Sequence, residues 1–261
     1  MGRVPPVARR HDEDAGGCPE LLARKSELRE QVWSELRERR QARFPGAYGR
    51  IPNFVGAEAA ADRLAATDVW RRARTVKCNP DAPQWPVRQR ALQDGKVVYM
   101  AVPRLAEPAP FFLLDPDDLA DPPRQAASIK GASRSARRVR VEELEPVDLV
   151  VTGCVAAGLD GARLGKGGGF GDLEFAVATE AGLIGSGTTV VTTVHERQLV
   201  AAGSIPTTAH DIRLGLVVTP EQVVACAHDV SEPARIRWDE LTEQKVASIP
   251  LLGELRDRQL S

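Results

Sequence analysis

The stretch 147-VDLVVTG-153 is a short run of Val and Leu that ends in Thr-Gly, and the fold class depends on this pattern. β-Branched residues bounded by turn residues are typical of a buried strand. Four further runs of this kind occur along the chain: 74-RTVKC-78, 96-KVVYMAVP-103, 188-TTVVTTV-194 and 212-IRLGLVVTP-220. Helix-length segments separate the runs. The sequence therefore predicts an α/β fold with a mostly parallel sheet that is covered on both faces.

Helices are expected in the segments around these strands. Between residues 20 and 44, apolar residues are separated by about the helical repeat and lie among many charged residues, which predicts an amphipathic helix. Pro45-Gly46 ends that pattern. An apolar stripe predicts a second helix over 56–73, and 172-DLEFAVATEAGLI-184 is typical of a third. Thr219-Pro220-Glu221-Gln222 fits a capping box with Pro at the first helical position. This pattern predicts a helix after the last strand.

Composition excludes several classes of protein. The 261 residues carry a formal net charge of −1 and are 43% hydrophobic and 27% charged, which gives no global field to recruit nucleic acid or an anionic membrane. The cysteines at positions 18, 78, 154 and 226 form no C-x-x-C pair, so structural zinc is not expected. No apolar run approaches the roughly 20 residues of a membrane helix, and the N-terminus lacks the apolar core of a signal peptide. We expect a cytoplasmic monomer with no membrane contact.

The chain divides into three segments by composition. Residues 1–22 are rich in Pro, Gly and charge and are expected to form a disordered leader. Residues 23–228 hold the α/β domain, and the charged, strand-poor residues 229–261 are expected to form a peripheral extension. Within the domain, residues 116–145 are polar and basic. This segment is either a mobile loop over a site or a solvated connection between elements.

The stretch 163-RLGKGGGFGD-172 is the strongest candidate for a functional loop. Its spacing matches neither the dinucleotide fingerprint G-x-G-x-x-G nor the P-loop G-x-x-x-x-G-K-[ST]. A glycine run nevertheless lets backbone N–H groups approach an anion, and Arg163 and Lys166 add positive charge beside it. Asp172 would hold a magnesium ion between itself and a phosphate, or it would cap the following helix. The loop is expected to bind an anion at the carboxyl edge of the sheet.

The same stretch resembles the signature R-L-G-x-G-x-G-Y-Y-D of the 5-formyltetrahydrofolate cyclo-ligases, or 5,10-methenyltetrahydrofolate synthetases. Lys25 to Arg29, KSELR, resembles the N-terminal K-x-x-L-R helix of that family, and 95-GKVVYMAVPRL-105 resembles its Gly-Lys strand. Downstream, 195-HERQLV-200 and 205-IPTTAHDIRLGLVVTPEQVV-224 are similar to the closing segments of the family. The variant G-K-G-G-G-F-G-D is similar to a branch whose members are named only as methenyltetrahydrofolate synthetase domain-containing.

The resemblance implies a three-layer α/β/α domain of the ribose-phosphate isomerase and CoA-transferase type, which holds MgATP and a reduced folate. In the family, ATP phosphorylates the formyl oxygen of 5-formyltetrahydrofolate, N10 attacks the activated carbon and phosphate leaves. The implied catalytic residues are Asp81, Arg163 and Lys166, and the implied magnesium ligand is Asp172. The implied ATP contacts are Lys25, Arg163, Gly165, Lys166, Gly167, Gly168 and Gly169. The implied folate contacts are Asp81 and Phe170.

The sequence departs from the family at its folate-binding positions. Phe170-Gly171 stands where the family has two tyrosines, and Asp81 stands where the family has a glutamate that helps to position the folate. Asp keeps the carboxylate and shortens its reach by one methylene group. Two alternatives therefore stay open. One is a non-catalytic relative that binds a nucleotide or RNA, with the basic segment 130-KGASRSARRVR-140 as its contact surface, and the other is an ATP-dependent ligase or kinase that acts on another small molecule.

Overall fold

A computed structural model describes residues 19–102, 107–167, 170–207, 211–226, 235–236, 238 and 241–259. Within these ranges the helices are α1 (Pro19–Glu38), α2 (Ala57–Ala65), α3 (Asp68–Arg72), α4 (Trp85–Gln93), α5 (Pro123–Ala126), α6 (Ile129–Ser135), α7 (Phe170–Glu180), α8 (Glu243–Ser248) and α9 (Pro250–Gln259). The strands are β1 (Thr75–Cys78), β2 (Val97–Ala101), β3 (Phe111–Leu114), β4 (Arg137–Val139), β5 (Leu149–Val151), β6 (Ala156–Gly158), β7 (Arg163–Leu164), β8 (Thr189–Thr193), β9 (Leu199–Val200), β10 (Leu216–Val218) and β11 (Val223–Ala225).

Eight strands form the central sheet in the order β11-β10-β8-β5-β1-β2-β3-β4. The five middle strands are parallel, as the pairings of β10 with β8, β8 with β5, β5 with β1 and β1 with β2 record. These are the five predicted strands, and the prediction of a mostly parallel sheet is confirmed. A second, three-stranded sheet has the order β7-β6-β9 and lies between the central sheet and α1.

Side chains of the central sheet alternate between two cores because successive strand residues point to opposite faces. In β1, Val76 and Cys78 belong to a cluster with residues of α2, α3 and α4. Residues of β5 and β8 that point the other way, Val150 and Val190, pack in a larger cluster with α7 and with buried residues of α8 and α9. Helices therefore cover both faces, and the structure has the three layers that the resemblance implies.

The edges of the sheet were not predicted. Strands β3 and β4 add antiparallel pairs at one edge, and β11 adds an antiparallel pair at the other. The prediction of a helix after the last parallel strand is wrong. Thr219 makes the bonds of a cap, since its Oγ1 accepts from the Gln222 N–H at 2.9 Å, but its own N–H donates to the Gln222 carbonyl at 2.9 Å and closes a hairpin turn into β11.

Two predicted helices differ in extent from the expectation. The first ends at Glu38 rather than near Pro45, because Arg40 takes a left-handed conformation (φ +56°) and the N–H groups of Gln41 and Ala42 both donate to the Leu36 carbonyl. The second is divided into α2 and α3 by Thr67, whose side chain accepts from the Trp70 N–H. A new cap inside a helical pattern starts a new helix.

Two segments are more structured than the sequence indicated. Residues 116–145, expected to be a loop or a solvated connection, contain α5, α6 and the edge strand β4. The C-terminal extension, expected to be peripheral, contributes buried side chains of Val246, Ile249, Leu251 and Leu252 to the same cluster as α7. In the sequence of this extension the apolar residues occur in short groups between charged residues, so the pattern did not indicate that they are buried. Of the predicted disordered leader 1–22, residues 1–18 lie outside the described residues, and residues 19–22 belong to α1, so the prediction is wrong for those four. No helix that the structure describes has both the length and the apolarity to cross a membrane.

Candidate functional site

The candidate site lies where the order of the parallel strands reverses. From β1 the chain moves to β2 on one side, whereas β5, β8 and β10 lie on the other side, so the switch point is at the carboxyl ends of β1 and β5. The region beyond these two strand ends is called the crevice below. In open α/β sheets this switch point is where ligands bind. Two hydrogen bonds join the strand ends there: the Asn79 N–H donates to the Val151 carbonyl at 3.1 Å, and the Gly153 N–H donates to Asn79 Oδ1 at 3.2 Å.

Arg163 is the buried cation of this crevice. Its Nη1 donates to the Gly153 carbonyl at 3.2 Å, and its Nη2 donates to the Asp172 carboxylate. Burial opposes the charge of the guanidinium, but Asp172, together with Cys154 and Asp211, outweighs that effect and raises the pKa of Arg163. The resulting charge is fixed at the carboxyl end of β5, beside the first turn of α7.

A second buried pair lies behind this one. Lys77, in the middle of β1, places Nζ 3.2 Å from Glu174 Oε2 on α7, and Asn79 Nδ2 donates to the same oxygen at 2.9 Å. The side chains of Lys77 and Glu174 are only 4% and 6% exposed. Burial raises the pKa of Glu174, an effect that Lys77 opposes and Asp81 reinforces. The two bonds tie α7, which carries both Asp172 and Glu174, to the end of β1.

Asp81 and Lys166 meet at the more open side of the crevice. Lys166 Nζ lies 3.8 Å from Asp81 Oδ1, and the Asp81 side chain is 24% exposed. Burial raises the pKa of Asp81, and the charges of Lys166, Arg88 and Arg163 counteract the rise. Asp81 is thus in electrostatic reach of both basic residues of the glycine loop. The structure brings together the three residues implied to be catalytic, Asp81, Arg163 and Lys166.

Lys25 reaches the same region from α1. Its Nζ lies 3.1 Å from Asp211 Oδ2, and Asp211 in turn is one of the carboxylates that raise the pKa of Arg163. One helical turn along, Arg29 Nε donates to the Gly165 carbonyl at 2.8 Å. Helix α1 therefore holds the start of the glycine loop through Arg29, a contact that sequence reasoning did not identify.

The glycine loop is described only in part. Gly165 lies against Arg163, since a β-carbon built on Gly165 would be 3.6 Å from Nη1. Gly167 has a φ of +109°, a conformation that side-chain-bearing residues rarely adopt, so glycine is required there. Gly168 and Gly169 lie outside the described residues, as does the side chain of Phe170, so the predicted roles of these three residues stay predictions.

Asp172 is paired with Arg163, and its role as a magnesium ligand stays a prediction. It lies in the first turn of α7, where a carboxylate is favoured by the helix dipole, and it is paired with Arg163 while its side chain remains 39% exposed. Among the residues that the structure describes, His, Cys, Asp and Glu side chains form no cluster of three that could hold a metal ion. A magnesium ion at Asp172 would therefore take its other ligands from water and bound phosphate, which is the usual arrangement for Mg²⁺.

Residues 80–88 shape the other end of the crevice. Arg88, buried on α4, donates to the carbonyls of Asn79, Pro80 and Asp81 and so fixes the turn that follows β1. Gln84 lies in that turn and is fully buried. A β-carbon built on Gly153 would be 2.9 Å from Gln84 Oε1 and 3.3 Å from Asp81 Oδ2. Glycine at 153 thus permits the close approach of these two side chains to the backbone.

Thiol chemistry is disfavoured at this site. Cys78 and Cys154 are buried, and burial raises the pKa of each thiol to about 11. Since the thiolate is the reactive form, these groups are poor nucleophiles at neutral pH. They serve as small apolar residues of the two cores.

The basic segment 130–140 is largely neutralised by neighbouring carboxylates. Each of its four arginines forms an ion pair: Arg134 with Asp121, Arg137 with Glu143, Arg138 with Glu107, and Arg140 with Glu142 and Glu254. An RNA phosphate would have to displace these partners. The paired carboxylates reduce the net positive charge that this segment would present to RNA, and RNA binding by this segment stays a hypothesis.

Sequence reasoning missed the contacts of six residues of the site: Arg29, Lys77, Asn79, Gln84, Arg88 and Glu174. A signal was present for Lys77, because a lysine inside the buried parallel strand 75-TVKC-78 needs a buried partner. Glu174 is two residues beyond Asp172 in an otherwise apolar helix, which is a similar signal. No signal separated Gln84 from an ordinary turn residue.

Comparisons with known proteins show the family to which the chain belongs. The sequence profile of the 5-formyltetrahydrofolate cyclo-ligase family matches residues 22–220. A methenyltetrahydrofolate synthase domain-containing protein of Bos taurus is 34% identical over 244 residues, which are 92% of this chain and 64% of that protein. The protein of the same name from Homo sapiens is 34% identical over 238 residues, covering 90% of this chain and 62% of that protein. The chain thus spans less than two thirds of the length of these relatives.

One solved structure supports the fold. The NMR structure of the 5,10-methenyltetrahydrofolate synthetase of Aquifex aeolicus superimposes with a TM-score of 0.50 at 20% sequence identity. The match covers 82% of this chain and 98% of that chain. The arrangement of the α/β core is therefore shared with that protein.

Proposed function

The chain belongs to the 5-formyltetrahydrofolate cyclo-ligase family, and we propose that it converts 5-formyltetrahydrofolate to 5,10-methenyltetrahydrofolate with ATP. In this reaction the γ-phosphoryl group of ATP is transferred to the formyl oxygen and ADP leaves. The N10 nitrogen then attacks the activated formyl carbon and loses its proton, and departure of phosphate completes the methenyl bridge. The substrates would be MgATP and a reduced folate, in the cytoplasm.

The observation that carries the proposal is the convergence of Arg163, Lys166, Asp172 and Asp81 at one strand-switch crevice. Phosphoryl transfer needs positioning and charge neutralisation more than covalent help from the protein. The crevice offers a buried guanidinium, a half-exposed ammonium and a glycine loop with one obligatory glycine at 167. These are the groups that such a transfer requires.

Within the proposal, each basic residue has a distinct part. Arg163 is held by Gly153 and Asp172, so its guanidinium is already oriented for a phosphate and would lose little freedom on binding. Lys166 is more exposed, and its ammonium group would stay in contact with the phosphoryl group during the transfer. Lys25 would contact the phosphates when it leaves Asp211, its partner at 3.1 Å.

Asp172 would hold the magnesium ion of MgATP, which neutralises developing negative charge on the phosphates when it is bound. The Asp172 carboxylate is partly exposed, so it can turn one oxygen to a cation while it keeps the other on Arg163. Asp81 would face the folate in the position of the family's glutamate, with a side chain that is one methylene group shorter. The side chain of Phe170 is proposed to stack on the pterin ring.

The test follows the near-ultraviolet absorbance of the methenyl product. We expect purified protein with 5-formyltetrahydrofolate, ATP and saturating magnesium to develop this absorbance, and Asp81→Asn to reduce it. Asp172→Asn should raise the magnesium concentration for half-maximal rate at least about tenfold, since loss of even an outer-shell partner of a metal ligand costs about 10–100-fold in affinity. Arg134→Gln is the matched surface control and should turn over at the wild-type rate. Absence of product from the wild-type protein, while another family member reacts in parallel, would refute the proposed function.

A further inference from the structure

Gln84 is a fully buried amide that has no hydrogen-bond partner among the described residues. Neither its Nε2 nor its Oε1 is paired, and the side chain is 0% exposed. Buried polar groups are almost always paired, because an amide that is buried without a partner loses the hydrogen bonds that it makes with water in the unfolded chain. This loss destabilises the folded state. A residue with both its donor and its acceptor unused is therefore an exception that calls for a physical reason.

Gln198 is the natural comparison because it is an equally buried glutamine near the same strand ends. Its Nε2 donates to the carbonyls of Cys154 and Val155 at 3.2 and 3.0 Å, and its Oε1 accepts from the His195 N–H at 2.9 Å. The fold thus satisfies one glutamine completely and leaves the other without a partner. The difference lies in position, since Gln84 is the one beside Asp81 and Gly153.

The surroundings of Gln84 are tightly packed. The turn Ala82–Gln84 is held by Pro83 within it and by Arg88, which donates to the Asp81 carbonyl at 3.2 Å. Gln84 Oε1, Ile51 Cγ2 and Asp81 Oδ2 lie 2.9, 2.9 and 3.3 Å from the position of a β-carbon on Gly153, so no further atom fits between these groups and the Gly153 backbone. Asp81 is the polar side chain that covers the amide here, and a ligand reaches Gln84 only when Asp81 moves.

We infer that Gln84 is a specificity-determining residue that recognises an amide edge of the substrate ring, accepting from a ring N–H with Oε1 and donating to the adjacent ring C=O with Nε2. The inference rests on the proposed function, and it assigns this contact to the lactam edge of the pterin. To admit the ring, the Asp81 side chain turns aside and breaks its 3.8 Å contact with Lys166. The amide is left unpaired in the free protein because the ligand supplies its partners.

The first test measures stability, with Gln84→Met and Gln198→Met as a matched pair. Methionine has a similar length and no amide. If Gln84 is held unpaired for a ligand, Gln84→Met raises the melting temperature of the free protein, because an unsatisfied buried group is removed. Gln198→Met lowers it, since three hydrogen bonds are lost. A Gln84→Met protein that melts well below the wild type would show that Gln84 is paired inside the fold and would overturn the inference.

The second test measures binding with free pterin as the probe, through its own fluorescence, and with 3-methylpterin, which lacks the ring N–H. The wild-type protein should bind pterin about tenfold more tightly than 3-methylpterin, the ratio expected for one buried hydrogen bond. In Gln84→Met the two ligands should bind alike, with pterin weakened to the level of the methylated ring. A preference that persists in Gln84→Met, or no binding of pterin to the wild type, would overturn the inference.

Turnover of 5-formyltetrahydrofolate by the wild type is recorded in parallel. Pterin binding that depends on Gln84 without any turnover would refute the proposed reaction and leave the recognition by Gln84 standing. Turnover with pterin binding that is indifferent to Gln84 would do the reverse. The two failures are thus distinguishable.

Discussion

The two ends of the crevice handle their polar groups in opposite ways. At the glycine-loop end, each cation already faces a carboxylate: Arg163 with Asp172, Lys166 with Asp81, and Lys25 with Asp211. At the other end, the amide of Gln84 has no partner in the described part of the chain. At one end carboxylates offset the cations, with only Nε of Arg163 left without a hydrogen bond among the described residues, and at the other end a neutral amide makes no hydrogen bond at all.

The difference follows from the cost of each kind of group. An unpaired buried cation is far more costly than an unpaired buried amide, so the cations must be paired before a ligand arrives. A neutral amide can stay unpaired until the ligand binds, because it lowers the stability of the free protein by a smaller amount. We expect the charged end to bind its ligand by exchange of partners and the neutral end to bind by gaining them.

The largest effect should come from Lys77→Met, which disturbs both ends because Glu174 and Asn79 link them. Removal of one member of a buried ion pair leaves the other charge uncompensated, so we expect the free energy of unfolding to fall by about 3–5 kcal/mol. Urea denaturation measures this change. The double variant Lys77→Met/Glu174→Leu should recover much of the loss, and Arg71→Met, which removes an exposed ion pair with Asp68, should change stability by no more than about 0.5 kcal/mol. A double variant no more stable than Lys77→Met would contradict this account.

Arg163→Ala should disable the charged end alone. We expect turnover to fall about 10²–10³-fold, the usual cost of a lost preorganised donor, while pterin binding stays near the wild-type value. Arg163→Lys should retain part of the rate, because it keeps the charge and loses the two-pronged contact with Gly153 and Asp172. Steady-state rates and fluorescence titrations measure the two ends separately. Equal loss of pterin affinity and turnover would show that the ends are not independent.

The smallest effect is a pH dependence that belongs to Glu174. Its folded-state pKa is raised by burial above the ordinary value of 4.5, so the folded protein binds this proton more tightly than the unfolded chain. The contribution of Glu174 to stability is therefore greatest below pH 4.5 and declines as the pH rises towards the folded-state pKa. The unfolding free energy of the wild type minus that of Glu174→Gln should therefore decrease as the pH rises above 4.5. A difference that grows in favour of the wild type with rising pH would contradict the direction.

The middle of the sheet was predictable and its edges were not. The five parallel strands are buried on both faces, so their sequences are continuous runs of Val and Thr that stand out from their surroundings. The edge strand β4 has the sequence Arg137-Arg138-Val139, and two of its three residues are exposed. Nothing in that composition distinguishes a strand from a polar loop, and its pairing with β3 depends on tertiary contacts.

The residues of the candidate site also divide into those that can be predicted from the sequence and those that cannot. Arg163, Lys166 and Asp172 could be predicted because the glycine loop brings them together within ten residues. The partnership of Lys77 with Glu174 joins residues that are 97 positions apart, and only the fold reveals it. Gln84 could not be predicted at all, because what marks it is a lack of partners, which is a property of three-dimensional structure.

The packing of the C-terminal helices has a practical consequence for the choice of protein fragments. The family profile matches residues 22–220, but Leu251 and Leu252 of α9 share a buried cluster with Leu173 and Val177 of α7. A fragment cut at residue 220 would expose that apolar surface on the helix that carries Asp172 and Glu174. Expression trials and screening libraries should therefore keep the chain through residue 259, since a truncated product that aggregates or fails to bind would report the missing helices and not the chemistry of the crevice.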